Sequence, residues 1–335
     1  ARNRPIMRNS TRESSAQHSV NARIFRALPA SLSIGTRGSP LALWQAEHVR
    51  DRLAAHHGPD RDEAFLKVIT TSGDRIQDKP LSDFGGKGLF TKEIDEALLR
   101  SDIALAVHSM KDLPTQLPDG LCLAAVLPRA DVRDAFLSPV APSFAALPKG
   151  AVVGTSSLRR AAQVKRARPD LRVIDFRGNV QTRLSKLAEG VADATLLAKA
   201  GLDRLDLAEA ATTVLSVEDM LPAVAQGAIG IVTRTNDVET RAVLVPLNDA
   251  MTEVAVCCER AFLAELDGSC RTPIAGLAAI EDGAIRFRGL ILSPDGAEWH
   301  DVEMTGPVVE ANAIGRQAGE DVRGRAGPTF LEKLM

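Results

Sequence analysis

Residues 151–198, AVVGTSSLRRAAQVKRARPDLRVIDFRGNVQTRLSKLAEGVADATLLA, decide the fold. Three short apolar runs in this stretch predict strands, and two segments between them have the apolar spacing of helices. The strands are at 151–154, 171–176 and 194–198, and the helices are at 157–167 and 180–188. Strands that alternate with helices are typical of parallel βαβ units. The stretch therefore predicts a lobe built on a doubly wound parallel sheet.

The same alternation precedes this stretch. Strands are predicted at 32–35, 65–70 and 105–109, and helices at 40–58 and 91–100. Ser39 is a candidate N-cap, and Pro40 follows it at the first helical position, where a missing N–H does no harm. This region predicts another lobe of the same kind. The proline-punctuated segment 114–150 reads as the connection between the two lobes.

The C-terminal part has a different pattern. A helix is predicted at 253–266, the Asp-Gly pairs at 282–283 and 295–296 predict tight turns between strands, and a final helix begins near Val309. An apolar strand at 228–233 precedes this part and is expected to return to the first lobe. The fold class is therefore α/β, with two doubly wound lobes and a small C-terminal α+β domain.

The predicted domains are 31–130 with 226–247, then 131–225, then 248–335, preceded by a tail at 1–30. This tail contains six arginines, several serines and one acidic residue, Glu13. Such a composition is typical of a disordered extension and also of a transit peptide.

The overall composition excludes some classes of function. With 335 residues and 45% hydrophobic content, the chain can bury a sizeable core. Its 41 Lys and Arg against 43 Asp and Glu give a net charge of −2, which does not favour nucleic acid or anionic membrane. No apolar run approaches the roughly 18 residues that span a bilayer. We therefore expect a cytoplasmic protein; the resemblance described below further implies a monomer that acts on a small molecule.

The four cysteines do not form a metal-binding pattern. They include no C-x-x-C pair and no His at ligand spacing, so no metal site is expected. Cys122, Cys257 and Cys258 read as inert thiols. Cys270 lies beside Arg271 in a loop, where a lowered thiol pKa would make it a nucleophile, although a buried, inert cysteine fits the spacing equally well.

The stretch 105–114, LAVHSMKDLP, begins as a buried strand and ends in a polar run before Pro114. It places Lys111 and Asp112 at the carboxyl end of a strand, the edge at which ligands bind in open α/β sheets. His108 on its own is more typical of a packed histidine than of a base. We therefore expect reaction chemistry at Asp112.

A basic window at 158–186 faces the same edge. Its first part, GTSSLRR at 154–160, combines a strand end, small residues and a helix N-terminus, which can bind an anion. Arg177 and Arg183 repeat this arrangement one βα unit later. Arginines at such positions suit carboxylates or phosphates, whereas those further along the helices read as solvated faces.

The segment 71–89 is rich in Gly, Pro and Asp and is predicted to be a lid loop that carries Lys87. Its GGKG sequence does not match a P-loop, because Leu81 and Gly88 replace the required Gly and Ser or Thr. From the residues alone, the interpretation stops at an enzyme that binds a polycarboxylate or a phosphorylated substrate between two lobes.

Seven segments together closely resemble the porphobilinogen deaminase family. They are IGTRGSPLALWQA, GGKGLFTKE, AVHSMKDLP, VGTSSLRR, FRGNVQTRLSKL, AQGAIGI and DGSCRTPIAG. The match runs in order from about residue 32 to the end of the chain and is looser in the C-terminal domain. The resemblance implies a three-domain enzyme whose first two lobes are similar to periplasmic binding proteins.

It also implies the chemistry. The family condenses four porphobilinogen molecules head to tail with loss of ammonia and releases hydroxymethylbilane by hydrolysis. A dipyrromethane cofactor, attached through a thioether to a cysteine that corresponds to Cys270, serves as primer. The catalytic carboxylate corresponds to Asp112, with Lys111 beside it. Such a carboxylate would stabilise the positive charge that develops near the pyrrole nitrogens.

The remaining implied contacts follow from the same motifs. Cofactor contacts are expected at Arg159, Arg160, Lys87, Ser157, Asp74 and Arg204. Substrate contacts are expected at Arg37, Ser39, Arg177, Arg183, Thr155, Ser156 and Phe90. Because each pyrrole carries an acetate and a propionate, a growing chain needs a guanidinium-rich crevice. Phe90 could stack on a pyrrole.

Three residues depart from the family pattern: Asp83, Gly38 and Asp102. The departure at Asp83 weakens the expectation that this position in the lid binds substrate carboxylates.

Two rival interpretations of the function remain. A non-catalytic two-lobed anion-binding protein would leave Asp112 and Cys270 without a role. An RNA-binding module is disfavoured because the chain has no tyrosine and only 4% aromatic residues for base stacking.

Overall fold

A computed structural model of the chain describes residues 32–58, 64–75, 90–268 and 272–332. Within these ranges the chain forms two five-stranded sheets and one three-stranded sheet. The predicted tail at 1–30, most of the predicted lid with Lys87, and Cys270 lie outside the described residues.

The strands are β1 (Leu32–Thr36), β2 (Ala64–Val68), β3 (Leu105–Ser109), β4 (Leu121–Val126), β5 (Asp134–Leu137), β6 (Val152–Gly154), β7 (Arg172–Ile174), β8 (Ala194–Ala198), β9 (Thr213–Val214), β10 (Ile229–Arg234), β11 (Ile274–Glu281), β12 (Ala284–Leu292) and β13 (Trp299–Pro307). The helices are α1 (Pro40–His57), α2 (Ser72–Arg75), α3 (Lys92–Leu99), α4 (Leu158–Ala167), α5 (Val180–Ala188), α6 (Lys199–Arg204), α7 (Val238–Leu244), α8 (Ala250–Glu265) and α9 (Ala311–Glu332).

The first sheet has the strand order β2-β1-β3-β10-β4. Strand β1 is parallel to β2 and β3, whereas β10 is antiparallel to both of its neighbours. Helices α1 and α7 pack on one face around Leu32 and Ile34, and α3 and α8 pack on the other through Leu98 and Val256. Helix α1 begins as predicted, because Ser39 Oγ accepts a hydrogen bond from the Ala42 N–H at 3.3 Å.

The second sheet repeats this plan with the order β7-β6-β8-β5-β9. Strand β6 is parallel to β7 and β8, and β5 is antiparallel to β8 and β9. Helix α4 covers one face through Val164, while α5 and α6 cover the other through Leu187 and Leu202. Both lobes are therefore doubly wound, as the alternation at 151–198 predicts.

The structure corrects the prediction for 114–150. This segment is more than a connection, because it contains β4 of the first sheet and β5 of the second. The chain crosses between the sheets twice, from β4 to β5 and from β9 to β10. Gly227, in the second crossing, has φ +88°, and a Cβ there would lie 2.6 Å from the Ala130 carbonyl oxygen of the first crossing. The close approach of the two crossings therefore requires glycine.

The third sheet is the antiparallel meander β11-β12-β13, covered by α8 and α9. Its first hairpin turns at Asp282 and Gly283, which have φ of 51° and 76°, as an Asp-Gly turn requires. Phe262 of α8 and Phe287 of β12 pack with ring centroids 4.9 Å apart in the core of this small domain. The predicted fold class, two α/β lobes and a C-terminal α+β domain, is confirmed.

Candidate active site

A cavity of about 810 Å³ lies between the two lobes and reaches the third domain. The N-termini of α1, α4 and α5 border it, and so does the turn after β3. The third domain contributes three residues to its wall: Leu263 of α8, Thr272 just before β11, and Ile274 of β11. Helix N-termini supply N–H donors and a positive potential, so this cavity suits anions.

The turn after β3 supplies the reactive groups of the first lobe. It is a short 3₁₀ helix, Met110–Asp112, in which Met110 is buried and its N–H donates to the Ala228 carbonyl at 3.0 Å. The neighbouring Lys111 and Asp112 both line the cavity. Asp112 is exposed, and no hydrogen bond within the described residues holds its carboxylate. It is thus placed to meet a positive charge in the cavity.

Lys111 has an unusual environment for an ammonium group. Burial, with Arg160 as the next cause, lowers its pKa to about 8, although Asp112 and Asp134 oppose this shift. Its Nζ donates to Gln226 Oε1 at 3.5 Å. The Lys111 ammonium therefore loses its proton at a pH two or more units below that of an ordinary lysine, as expected for a desolvated cation.

Arg37 and Asp74 form an ion pair in the wall that the first lobe contributes. Asp74 also accepts a hydrogen bond from Thr71 Oγ1 at 2.7 Å. Burial acts to raise the pKa of Asp74, but the bonds from Arg37 and Thr71 outweigh it and hold that pKa below its usual value. The Arg37 guanidinium also lies 4.3 Å from the ring centroid of Phe90, so the aromatic ring helps to fix its position.

The second lobe places two arginines around one carboxylate. Arg159 and Arg160 lie in the first turn of α4, which Ser157 caps by accepting the Arg160 N–H. Their guanidinium groups donate to the two oxygens of Asp134, at 2.8 and 2.7 Å. Burial acts to raise the pKa of Asp134, but the arginines outweigh it and keep the carboxyl ionised. All three side chains are buried, and both arginines line the cavity.

Two further arginines line the cavity, Arg177 from the loop before α5 and Arg183 from the first turn of α5. Asn179 caps this helix by accepting the Thr182 N–H at 2.8 Å. Burial, with Arg160 as the next cause, lowers the pKa of Arg183 to about 10, so it stays cationic at neutral pH. The charge of Asp112, which lines the same cavity from the first lobe, acts in the opposite direction on this pKa.

Two buried residues of this site do not stand out in the sequence. Asp134 opens β5, in a segment that reads as a connection. Gln226 is fully buried, lines the cavity and donates to Asp134 Oδ1 at 2.9 Å while accepting from Lys111. The sequence indicates Asp134 only indirectly, because two buried arginines require a carboxylate as counter-charge but do not identify which one.

Most of the predicted site residues meet at this cavity. Those that line it are Arg37, Ser39, Asp74, Phe90, Lys111, Asp112, Ser156, Ser157, Arg159, Arg160, Arg177 and Arg183. Two others do not. Thr155 is buried beneath the lining, where its Oγ1 accepts from the Ser157 N–H at 3.2 Å. Arg204 donates to the Gly227 carbonyl at 2.6 Å, in the second crossing between the lobes.

His108 lies behind the cavity. It borders a smaller pocket of about 70 Å³ that shares Arg37, Phe90 and Asp112 with the main one. Burial lowers the pKa of His108 to about 4, so its imidazole is neutral near pH 7. This agrees with its interpretation as a packed histidine.

Comparison with known proteins decides the family. A family model described as "Porphobilinogen deaminase, dipyromethane cofactor binding domain" matches residues 32–242. The chain belongs to the porphobilinogen deaminase family. A second family model, "Porphobilinogen deaminase, C-terminal domain", matches residues 254–324. The family predicted from the seven motifs is thereby confirmed, and the cofactor characteristic of the family is dipyrromethane.

Relatives support the same assignment over most of the chain. The porphobilinogen deaminase of Nitrobacter winogradskyi is 56% identical over 299 residues, covering 89% of this chain and 95% of that protein. The chloroplastic porphobilinogen deaminase of Oryza sativa is 55% identical over 312 residues, covering 91% of this chain and 86% of that protein. Bacterial and plant porphobilinogen deaminases are thus equally similar to this chain.

Among solved structures, a periplasmic substrate-binding protein of an ABC transporter from Coxiella burnetii aligns with 66% of this chain and 94% of its own length. The two are 10% identical, with a TM-score of 0.40. Within the residues that the structure describes, no helix is long and apolar enough to cross a membrane.

Proposed function

We propose that this chain is a hydroxymethylbilane synthase. It condenses four porphobilinogen molecules head to tail on a dipyrromethane primer held by Cys270, and then releases hydroxymethylbilane by hydrolysis. Each addition breaks the C–N bond of the substrate's aminomethyl group, forms a C–C bond to the growing chain, and releases ammonia. The observation that carries the proposal is the single cavity in which Asp112 and Lys111 of one lobe face the arginines of the other.

The charge of the cavity supports a polycarboxylate ligand. Among the described residues that line it, the basic ones are Arg37, Lys111, Arg159, Arg160, Arg177, Arg183 and Lys186, and the acidic ones are Asp74 and Asp112. This excess of cations matches substrate chains that carry an acetate and a propionate on every pyrrole. Guanidinium groups bind such carboxylates through two parallel hydrogen bonds.

The same residues fit the dipyrromethane group. The buried Nε atoms of Arg159, Arg160 and Arg183 have no hydrogen-bond partner among the described residues. Buried donors of this kind are normally satisfied, so an anionic ligand is a natural partner for this wall. We assign Arg159, Arg160 and Ser157 to hold its carboxylates, and Arg183 to bind those of the substrate. When bound, the group supplies the nucleophilic pyrrole to which the first substrate is joined.

Asp112 has the role of the catalytic carboxylate. Loss of ammonia leaves a cationic pyrrole, and a fixed negative charge beside the ring stabilises it without reorganisation. The same carboxylate can accept the proton that each addition releases. Its exposure to the cavity, and the absence of hydrogen bonds from the described residues to its carboxylate, leave it available for both tasks.

Turnover of porphobilinogen by the purified full chain tests the proposal. We expect one ammonia for each porphobilinogen consumed and one hydroxymethylbilane for every four. Intact-protein mass spectrometry should show an adduct of two pyrrole units, which Cys270→Ser removes and the control Cys257→Ser retains. An unmodified protein that leaves porphobilinogen untouched would refute the function.

The domain division, the oligomeric state and the compartment belong to the same proposal. We assign 31–130 with 226–247, 131–225 and 248–335 to three domains; the presence of β10 in the first sheet supports the first of these. We propose a monomer, since both lobes and the third domain of one chain contribute residues to the cavity, and a cytoplasmic location. Light scattering of the purified protein and cell fractionation test these two assignments.

A further inference from the structure

Arg260 in α8 is a partly buried arginine that binds backbone carbonyls and no carboxylate of the described residues. Its Nη2 donates to the carbonyl oxygens of Pro114 and Thr115, at 2.7 and 3.0 Å, and its Nη1 donates to that of Leu113 at 3.5 Å. These three carbonyls follow Asp112 directly in the chain. One side chain of the third domain therefore binds the loop that continues from the turn carrying Asp112.

Leu113 and Leu117 anchor this loop by apolar packing, but its backbone forms few hydrogen bonds with other described residues. Pro114 and Pro118 have no N–H, so the segment cannot form a continuous hydrogen-bonded ladder. At the start of the loop, the Leu113 N–H donates a hydrogen bond to the Met110 carbonyl oxygen at 3.2 Å. A guanidinium group that gathers three successive carbonyls is the type of contact that fixes such a loop, because its planar donors are already arranged.

The electrostatic environment agrees with a fixed contact. Burial lowers the pKa of Arg260, yet no carboxylate within the described residues pairs with it. A buried cation is expensive unless hydrogen-bonded, and here three carbonyl dipoles fill that requirement. Arg260 is therefore bound to this loop more firmly than an exposed arginine would be.

Helix α8 connects this contact to the rest of the site. Glu259, the preceding residue, is fully buried and accepts hydrogen bonds from Arg129 and from the Ala225 N–H, one in each crossing between the lobes. The same helix leads through Gly268 to Cys270. The position of α8 is therefore coupled to the two crossings between the lobes and to the loop after Asp112. In sequence, α8 also precedes Cys270, the residue proposed to hold the primer.

We propose that Arg260 is a positioning residue that sets the placement of Asp112 against the growing chain. It acts through the backbone of 113–115 and touches neither substrate nor primer. The proposal rests on the proposed function, because the quantity that it controls is the rate of porphobilinogen addition. A displacement of about 1 Å at a catalytic group can lower a rate by about 100-fold.

The experiment compares full-length holoenzymes in steady-state turnover of porphobilinogen. Arg260→Met keeps most of the side chain and removes every donor, and Arg260→Lys keeps the charge and one donor nitrogen. The matched control is Arg168→Met. Arg168 also donates to three carbonyls, those of Phe144, Ala145 and Leu147, but in the second lobe and away from the cavity.

For Arg260→Met we expect kcat to fall by about 10- to 100-fold with KM changed less than threefold, and a full complement of primer by intact mass. Arg260→Lys should recover part of the lost kcat. Hydrogen exchange of peptides that span 110–118 should be faster in Arg260→Met than in wild type. Arg168→Met should lower the melting temperature and leave kcat unchanged.

A kcat for Arg260→Met within twofold of wild type would overturn the proposal, as would equal losses of kcat in Arg260→Met and Arg168→Met. If Arg260→Met does not fold, Arg260→Lys decides alone, and an unchanged kcat there overturns the proposal. Failure of the proposed function is distinguishable, because wild type itself would then not consume porphobilinogen.

Discussion

The two lobes share a strand order, in which a single antiparallel strand lies between the third and fifth of five strands, yet they present different chemistry at the same edge. In the turn after β3, the first lobe has Asp112, an exposed carboxylate that accepts no hydrogen bond from the described residues. The second lobe begins β5 with Asp134, a buried carboxylate bound by Arg159, Arg160 and Gln226. The fold determines the positions of the two carboxylates. Their hydrogen-bond partners determine whether each is available for reaction, as Asp112 is, or holds the arginines in place, as Asp134 does.

The largest effect is expected when the reactive carboxylate is removed. Asp112→Ala should lower kcat by about 100- to 10,000-fold, since it removes both the counter-charge and the proton acceptor. The melting temperature should stay close to that of wild type, because this side chain is exposed. A kcat within tenfold of wild type in steady-state assays would remove Asp112 from its assigned role.

Removal of the supporting carboxylate should act on stability instead. Asp134→Asn leaves two buried guanidinium groups beside each other without a counter-charge, which costs about 3–5 kcal/mol in comparable buried pairs. Urea denaturation measures this loss in the free energy of unfolding. The control is Asp131→Asn, three residues earlier, whose ion pair with Arg133 is partly exposed and should contribute less than about 1 kcal/mol. Equal losses in the two variants would contradict the distinction between the lobes.

Arg183 tests the ligand-binding side of the second lobe. Arg183→Met should raise KM for porphobilinogen by about 10- to 100-fold, the usual effect of losing a charge-assisted hydrogen bond of about 1.5–3 kcal/mol. Arg166→Met is the control, because Arg166 lies on the outer side of α4 and stacks on Trp299 with its guanidinium 4.2 Å from the ring centroid. An unchanged KM in Arg183→Met would assign substrate binding to other residues.

The smallest effect concerns pH. Because the pKa of Lys111 is lowered to about 8, its ammonium is lost as the pH rises through 8 rather than near 10. If the cation assists turnover, kcat falls severalfold between about pH 7 and 9. Arg at this position stays charged, so Lys111→Arg should move the decline to higher pH. A profile of Lys111→Arg identical to that of wild type would show that another group titrates.

Local elements of the fold were predictable because their signals are local. Helix α1 begins at Pro40 after the Ser39 cap, and both α5 and β8 have the bounds that their sequence periodicity predicts. The lining arginines were also predictable, since strand ends and helix N-termini locate them. These features depend on residues within a turn or two of each other.

Pairings between distant segments were less accessible. Strand β5 begins with an aspartate in a region rich in Pro and Ser, so it resembles a turn until Arg159, 25 residues later, neutralises that charge. Strand β4 shares this region and is recognised only through its pairing with β10. Gln226 and Arg260 carry no local signal at all, because their partners are backbone groups and side chains brought together by the finished fold.

The position of β10 has a consequence for synthesis on the ribosome. All strands of the second sheet lie between residues 134 and 214, whereas the first sheet lacks the strand between β3 and β4 until 229–234 has been made. The lobe that is translated second can therefore be completed first. Until then, β3 exposes an unpaired apolar edge and β4 has no neighbour, which is the condition that favours wrong strand pairing and recognition by chaperones. The two lobes can therefore complete their folding in the reverse of the order in which they are translated.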